Sequence, residues 1–163
     1  MSRRKIAIDP ATYQFQIGDH VCVLYTPTYE LPFWFYHHGI FAGYKDKEPY
    51  FINLSRRGLS KDDIKVFGEG NKRWRIIEHD YKKFTREEVL IRAEDYLLNG
   101  GDEIRKYDIL SNNCEHFVNL VIEGKKESSQ VRHTLKATAV GLATVSVVGI
   151  SLINTIKNRN RPL

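Results

Sequence analysis

The feature that most constrains this chain is a cysteine at the start of a short amphipathic helix. Apolar residues recur at positions 114, 117, 118, 121 and 122, a spacing that predicts one buried helix face. Asparagine is a strong N-cap residue, so Asn112 or Asn113 is expected to begin the helix and to place Cys114 in its first turn. The partial positive charge at a helix N-terminus favours a thiolate. Cys114 is therefore a candidate nucleophile; the alternative is a small buried core residue.

Composition limits the classes of protein that fit. The chain has 163 residues, 42% of them hydrophobic, which suits one domain with its own core. Two cysteines, Cys22 and Cys114, are too few for a disulfide framework and suit a reducing compartment. The net charge of +5 permits contact with anionic membranes or nucleic acid without indicating either. The sequence shows no metal-ligand spacing, phosphate-binding glycine loop or nucleic-acid motif, so neither a cofactor nor a nucleic-acid partner is expected.

The first half of the chain is typical of β-strands. Residues 1–13 are expected to form a loose leader. Runs rich in β-branched and aromatic residues then predict strands at residues 21–25, 37–44, 50–54 and 73–78. A charged turn at 45–48 joins the second and third of these as a hairpin, and 56–70 is expected to be mostly loop. The aromatic stretch 31–36 either packs over the core or offers an apolar surface to lipid or acyl chains.

The second half of the chain is typical of helices. Thr85 and Glu88 have capping-box spacing ahead of apolar residues at helical intervals, and Gly100 is expected to end that helix. The cysteine helix is expected to end near Gly124. Strands followed by helices predict an α+β domain in which helices pack on an antiparallel sheet.

The last segment has a different composition. Residues 137–156 contain no charged residue, and a helix of that length spans the roughly 30 Å hydrocarbon core of a bilayer. Its glycines and alanines are typical of membrane helices. We expect residues 132–163 to be a C-terminal membrane anchor with basic flanks, and residues 14–131 to be a domain facing the cytosol. The alternative is an amphipathic or core helix of a soluble domain.

A cysteine nucleophile needs an imidazole within hydrogen-bond reach and a polar group that orients this imidazole. His116 is two positions from Cys114 on one helix, so it points elsewhere and is expected to be structural or solvent-facing. The remaining isolated histidines lie beside turns or segment ends and carry no motif, namely His20, His79 and His133.

Two adjacent histidines are better placed to act on the cysteine. His37 and His38 follow one another on a predicted strand, so they face opposite ways and only one can face the cysteine. Asn53, on the partner strand of the hairpin, is a candidate orienting group, because Cys-His-Asn is a known variant of the catalytic triad. Strand periodicity leaves the choice between His37 and His38 open.

Two short motifs carry a resemblance to a known family. The stretch 113–119 (NCEHFVN) looks like the NC box of the lecithin retinol acyltransferase-like superfamily, and 37–43 (HHGIFAG) resembles its H-box. The resemblance extends to Gly18-Asp19, to 92–94, and to 129–132 with the basic-flanked apolar tail. It covers most of residues 14–161 and is strongest to the phospholipase A/acyltransferase branch.

The resemblance implies a circularly permuted NlpC/P60-like thiol hydrolase fold. It also implies that Cys114 is the nucleophile and His37 the general base, which decides between the two adjacent histidines. Asn53 stands where the family usually has a second histidine, and an amide can orient an imidazole but cannot titrate. The implied reaction moves an acyl chain from a glycerophospholipid, through a thioester on Cys114, to water, an amine or a hydroxyl.

Two alternatives to this reaction stay open at the level of sequence. The first is a catalytically inactive, membrane-anchored binding module, which the departure at Asn53 suggests. The second is a cysteine peptidase or amidase, as in the broader NlpC/P60 group, against which the membrane anchor argues.

Overall fold

The computed structural model describes residues 3–26, 34–101, 106–108, 112–129 and 131. The chain divides into two units, Met1–Ser128 and Ser129–Leu163, and all the helices and strands given below lie in the first. The expected anchor at 137–156 lies outside the described residues. Within the described ranges, no helix is long and apolar enough to cross a membrane.

Six strands form one antiparallel sheet with the spatial order β1-β6-β2-β3-β4-β5. The strands are β1 (Lys5–Ile8), β2 (His20–Tyr25), β3 (Phe35–Lys45), β4 (Glu48–Ser55), β5 (Gly58–Asp63) and β6 (Trp74–Ile77). The helices among the described residues are α1 (Ile64–Gly68), α2 (Arg86–Asn99) and α3 (Cys114–Glu123). The expected α+β class with an antiparallel sheet is confirmed.

Two stretches differ from the sequence-based expectation. Residues 5–8, within the expected loose leader, form the edge strand β1, whose Ile6 and Ile8 are half-buried against β6. The expectation of a loop over 56–70 is also wrong, because β5 and α1 occupy most of it. An edge strand such as β5 tolerates charged residues, so its composition is that of a loop. Asp63 then caps α1 through its carboxylate.

Each face of the sheet carries its own hydrophobic cluster. Helices α2 and α3 cover one face, the helix face, and pack on a cluster that includes Ile40, Ile52, Val89 and Val121. Aromatic residues dominate the cluster on the other face, the α1 face, which includes Phe41, Phe51, Phe67 and Trp74. Side chains alternate along β3, so His38 lies on the helix face with Ile40, and His37 lies on the α1 face with Phe41.

Gly18 and Asp19 connect the start of β2 to the start of α2. Asp19 forms an ion pair with Arg86, and its Oδ2 accepts a hydrogen bond from the backbone N–H of Gln16 at 2.9 Å. Gly18 has a φ of +78°, and an added Cβ would clash with the carbonyl oxygen of Arg86. The two residues therefore allow the close approach of α2 to this turn.

Replacing Gly18 by alanine should destabilise the fold through this close approach. The strain of a left-handed residue and the clash with the Arg86 carbonyl together should lower the free energy of unfolding by about 3 kcal/mol. Gly70→Ala is the matched control, since Gly70 has a φ of +76° and no heavy atom of the described residues lies within 4 Å of its Cβ position. Its cost should be about 1 kcal/mol. Urea denaturation gives both values, and equal losses would contradict the packing role of Gly18.

Candidate active site

Cys114 is the first residue of α3 and is buried. Asn113 caps the helix: its Oδ1 accepts hydrogen bonds from the backbone N–H groups of Glu115 at 3.0 Å and His116 at 3.1 Å. The Nδ1 of His116 accepts in turn from the Asn113 backbone N–H at 3.2 Å, which completes a capping box. The expected asparagine cap is confirmed at Asn113. His116 has a structural role, as expected, and is buried rather than solvent-facing.

The thiol of Cys114 lies against the first part of β3. Its Sγ is 3.7 Å from the carbonyl oxygen of Tyr36 and accepts a hydrogen bond from the backbone N–H of His38. These two residues flank His37 in the chain. The β3–β4 register ends at Gly39↔Asn53, whereas β3 continues beside β2 to Phe35. The sulfur thus contacts backbone on both sides of His37, on the part of β3 beyond its register with β4.

His37 and Asn53 are joined by a hydrogen bond of 3.0 Å between Nε2 and Oδ1. The Nδ2 of Asn53 donates to Asp62 Oδ2 at 2.9 Å, and Ser60 Oγ donates to the same oxygen at 2.8 Å. A carboxylate only accepts, so Asp62 orients the amide with its NH2 group toward itself and its oxygen toward His37. The Nε2 of His37 must then carry the proton. The lone pair stays on Nδ1, where it can accept a proton from a thiol.

Burial decides the charge of both candidate catalytic groups. It raises the pKa of the Cys114 thiol to about 12, although the backbone N–H groups of His38 and Glu115 favour the thiolate. Burial likewise lowers the pKa of the His37 imidazole to about 4. Both groups are therefore neutral at pH 7. The expectation that the helix N-terminus makes Cys114 a thiolate is wrong for this structure, because desolvation outweighs the partial charge of the helix.

Gly39, in the motif that follows the two histidines, allows close packing beneath His37. A Cβ at this position would lie 2.7 Å from Cε2 of Phe67. The Phe67 ring in turn packs against His37, with 5.0 Å between ring centres. The glycine of the motif therefore lets an aromatic side chain support the candidate base.

The sequence did not predict Ser60 and Asp62. Asp62 accepts a hydrogen bond from the Asn53 amide, and Ser60 donates to the same carboxylate oxygen. Both lie on β5, in the stretch interpreted as loop. Their spacing of two residues places them on one strand face, but this signal is informative only once the stretch is recognised as a strand.

Three other histidines form a hydrogen-bonded chain on the helix face. His20 Nε2 lies 2.7 Å from His38 Nδ1, and His20 Nδ1 lies 2.9 Å from His79 Nε2. The Nδ1 of His79 is 3.5 Å from a carboxylate oxygen of Glu123. No sequence pattern predicted this chain, because His20 and His79 meet only through the pairing of β2 with β6. Within the described part of the chain, no group of His, Cys, Asp or Glu side chains is arranged to hold a metal ion.

The buried histidines should make stability depend on pH below neutrality. Burial lowers the pKa of His37, His38 and His79 to about 4, whereas an exposed histidine titrates near 6.5. As the pH falls below 6.5 the unfolded chain takes up protons that the folded chain does not. Stability is therefore complete above pH 6.5 and is lost as the pH falls toward 4, by up to about 1.4 kcal/mol per pH unit for each histidine.

Urea denaturation between about pH 7.5 and pH 5, above the range in which most carboxylates titrate, measures this dependence. The expected proton uptake on unfolding at pH 5 exceeds one per molecule, and His79→Gln should remove about one of these protons. A free energy of unfolding that does not change over this range would contradict the neutral burial of the histidines.

The comparisons with known proteins agree with the family resemblance. Residues 49–127 match the family model described as lecithin retinol acyltransferase. Phospholipase A and acyltransferase 3 of Mus musculus is 31% identical over 111 residues, which are 66% of this chain and 65% of that protein. Phospholipase A and acyltransferase 2 of Homo sapiens is 30% identical over 112 residues, 65% of this chain and 67% of that protein.

A third relative shows the same level of similarity. Phospholipase A and acyltransferase 1 of Rattus norvegicus is 32% identical over 103 residues, 60% of this chain and 59% of that protein. The chain thus spans slightly less than two thirds of the mouse relative and about three fifths of the rat relative. No solved structure matches the chain.

The fold and the site define a class of protein, an α+β domain in which a helix that begins with cysteine packs on an antiparallel sheet that carries a histidine–asparagine pair. Within this class the chain belongs to the lecithin retinol acyltransferase family, and its three relatives above all carry the name phospholipase A and acyltransferase.

Proposed function

We propose that this chain is a cysteine-dependent acyltransferase and phospholipase A that acts on glycerophospholipids. The observation that carries the proposal is the position of the Cys114 thiol, at a helix start and against the β3 backbone on both sides of His37. The names of the relatives support the class of reaction. In this proposal Cys114 is the nucleophile, His37 is the general base and Asn53 orients His37.

The first half-reaction forms a thioester. Sγ attacks the ester carbonyl carbon of the donor while Nδ1 of His37 takes the thiol proton, so both groups react from their neutral forms. The bond between the carbonyl carbon and the glycerol oxygen then breaks. The lysophospholipid leaves with the proton from His37, and the acyl chain remains on Cys114.

The second half-reaction releases the acyl chain. Water, an amine or a hydroxyl attacks the thioester carbonyl and gives its proton to His37, which returns this proton to Sγ as the thiol leaves. Water as the acceptor makes the reaction a phospholipase reaction. An amine or hydroxyl makes it an acyl transfer.

Backbone N–H groups at the start of α3 are the natural donors to the oxyanion of each step. The Asn113 side chain already accepts from the N–H groups of Glu115 and His116. The N–H group of Cys114 itself is therefore the donor that the helix cap leaves for the oxyanion.

The remaining parts of the proposal concern the membrane and the fold family. Residues 137–156 would anchor the domain, within 14–131, to a membrane with the site facing the cytosol, which would keep the site close to its lipid substrate. The order of histidine before cysteine in the chain suits a circularly permuted NlpC/P60-like arrangement. The inactive binding module is the second candidate. The observation that favours it is that an asparagine stands at position 53, where the family usually has a histidine.

Intact-mass analysis of the full chain in detergent with phosphatidylcholine tests the thioester. We expect a mass gain of one acyl chain, absent in Cys114→Ser and formed at least about a hundredfold more slowly in His37→Ala, since general base catalysis contributes this much. Cys22→Ala is the matched control, because it removes the other cysteine and should leave the adduct unchanged. A folded wild-type chain that gives neither adduct nor free fatty acid would favour the inactive module.

The orienting role of Asn53 gives a separate prediction. Asn53→Ala should lower the rate of thioester formation by about 10- to 100-fold, the usual cost of losing a group that orients a reactive side chain. Asn53→His should retain most of the rate, because an imidazole nitrogen can accept from His37 Nε2. Asp62→Ala should also slow the reaction, since the amide loses its anchor, whereas Ser60→Ala keeps the amide contact and serves as the control. A wild-type rate in Asn53→Ala would exclude the orienting role.

A further inference from the structure

Aromatic and cationic side chains stack on one another near one end of the sheet. The Nζ of Lys5 and the Cζ of Arg75 lie 5.0 Å and 5.2 Å from the centre of the Tyr36 ring. The Cζ of Arg73 lies 5.7 Å from a ring centre of Trp34. We call these five residues the cationic shelf. Stacking on the rings holds the three cations in place.

The cationic shelf lies on the helix face, beside the candidate nucleophile. Arg75 is opposite Cys22 on β2, which is opposite His38 on β3, and directly opposed residues share a face of the sheet. Tyr36, two residues before His38, lies on the same face. The carbonyl oxygen of Tyr36 is 3.7 Å from Cys114 Sγ. Tyr36 therefore contacts Lys5 and Arg75 through its ring and the sulfur of Cys114 through its carbonyl oxygen.

The cations of the shelf form no ion pair with a carboxylate of the described residues. Some cations elsewhere on the domain are paired with carboxylates, as in Arg3–Glu123, Lys61–Glu94 and Arg86–Asp19. Across the described ranges, no carboxylate lies within ion-pair distance of Lys5, Arg73 or Arg75. Trp34 is 56% exposed, so the surface is open to a ligand. The sequence allowed the stretch 31–36 either to pack over the core or to offer an apolar surface to lipid. Its residue Trp34 is exposed.

We propose that the cationic shelf binds the anionic headgroup of the acyl donor, so that this chain uses anionic phospholipids in preference to phosphatidylcholine. The inference rests on the proposed function. Guanidinium groups match phosphate oxygens in charge and geometry, and exposed tryptophan and tyrosine suit the bilayer interface. Both rings already carry a protein cation, so they offer no empty aromatic cage to choline. The phosphate and the sn-2 ester are on adjacent glycerol carbons, which suits a headgroup site next to Cys114.

Internal competition in one vesicle tests this proposal. Phosphatidylglycerol and phosphatidylcholine with differently labelled acyl chains are mixed in equal amounts and incubated with the full chain. Attraction of the protein to the charged surface would speed release from both donors equally, whereas a headgroup site changes their ratio. We expect release from phosphatidylglycerol to be favoured at least about tenfold, since each cation near an anionic lipid adds to the preference.

The double variant Arg73→Gln, Arg75→Gln should reduce this ratio to about one. Lys45→Gln with Lys47→Gln is the matched control, because it removes the same charge from the β3–β4 hairpin and should keep the ratio. A ratio near one in the wild type, or an unchanged ratio in the arginine variant, overturns the proposal.

Binding of a water-soluble, short-chain phosphatidylglycerol separates this outcome from failure of the proposed function. A wild-type chain that releases no acyl chain from either lipid contradicts the proposed function. Titration calorimetry with monomeric dihexanoyl-phosphatidylglycerol then still tests the shelf, because the proposed anchor at 137–156 would hold every variant on a vesicle. Weaker binding in the arginine variant, with binding retained in the lysine control, supports the shelf, and equal binding by all three proteins overturns it.

Discussion

The hydrogen bonds that the Asn113 side chain accepts from the backbone N–H groups of Glu115 and His116 are the interaction on which the candidate site depends. They fix the residue at which the helix begins, and hence the position of Cys114 at its end. The other end is held by Arg92, whose side chain donates to the carbonyl oxygens of Val121 at 2.9 Å and Leu120 at 3.1 Å. With the apolar face of α3 packed on the sheet, the whole helix positions the sulfur against β3. The position of the sulfur is therefore set by the helix and not by contacts of the thiol itself.

The asparagine at position 53 changes how the protonation of His37 is controlled. A histidine at this position could itself exchange a proton, so the titration of two imidazoles would be coupled. The amide of Asn53 cannot titrate, and its orientation is set by Asp62. The tautomer of His37 therefore follows from a carboxylate that is two hydrogen bonds away. A single imidazole with a pKa of about 4 remains neutral over the whole physiological range.

The sequence predicted those features that depend on residues close to one another in the chain. The cap at Asn113, the capping box at Thr85 and the charged hairpin turn at 45–48 each depend on residues a few positions apart, and each is confirmed. Asp62 and the chain of His20, His38 and His79 depend on strand pairing, which a single sequence does not reveal. The ionisation of Cys114 was mispredicted for a related reason. The helix N-terminus is visible in the sequence, but the burial that outweighs it arises from the tertiary fold.

The two adjacent histidines show how one strand serves both faces of the sheet. The side chain of His37 points to the α1 face and meets Asn53. The side chain of His38 points to the helix face and meets His20, yet its backbone N–H reaches the sulfur of Cys114. The periodicity of a strand predicts only that the side chains of His37 and His38 point to opposite faces. In the structure the main chain of His38 contacts the thiol, whereas the side chain of His37 is held by Asn53.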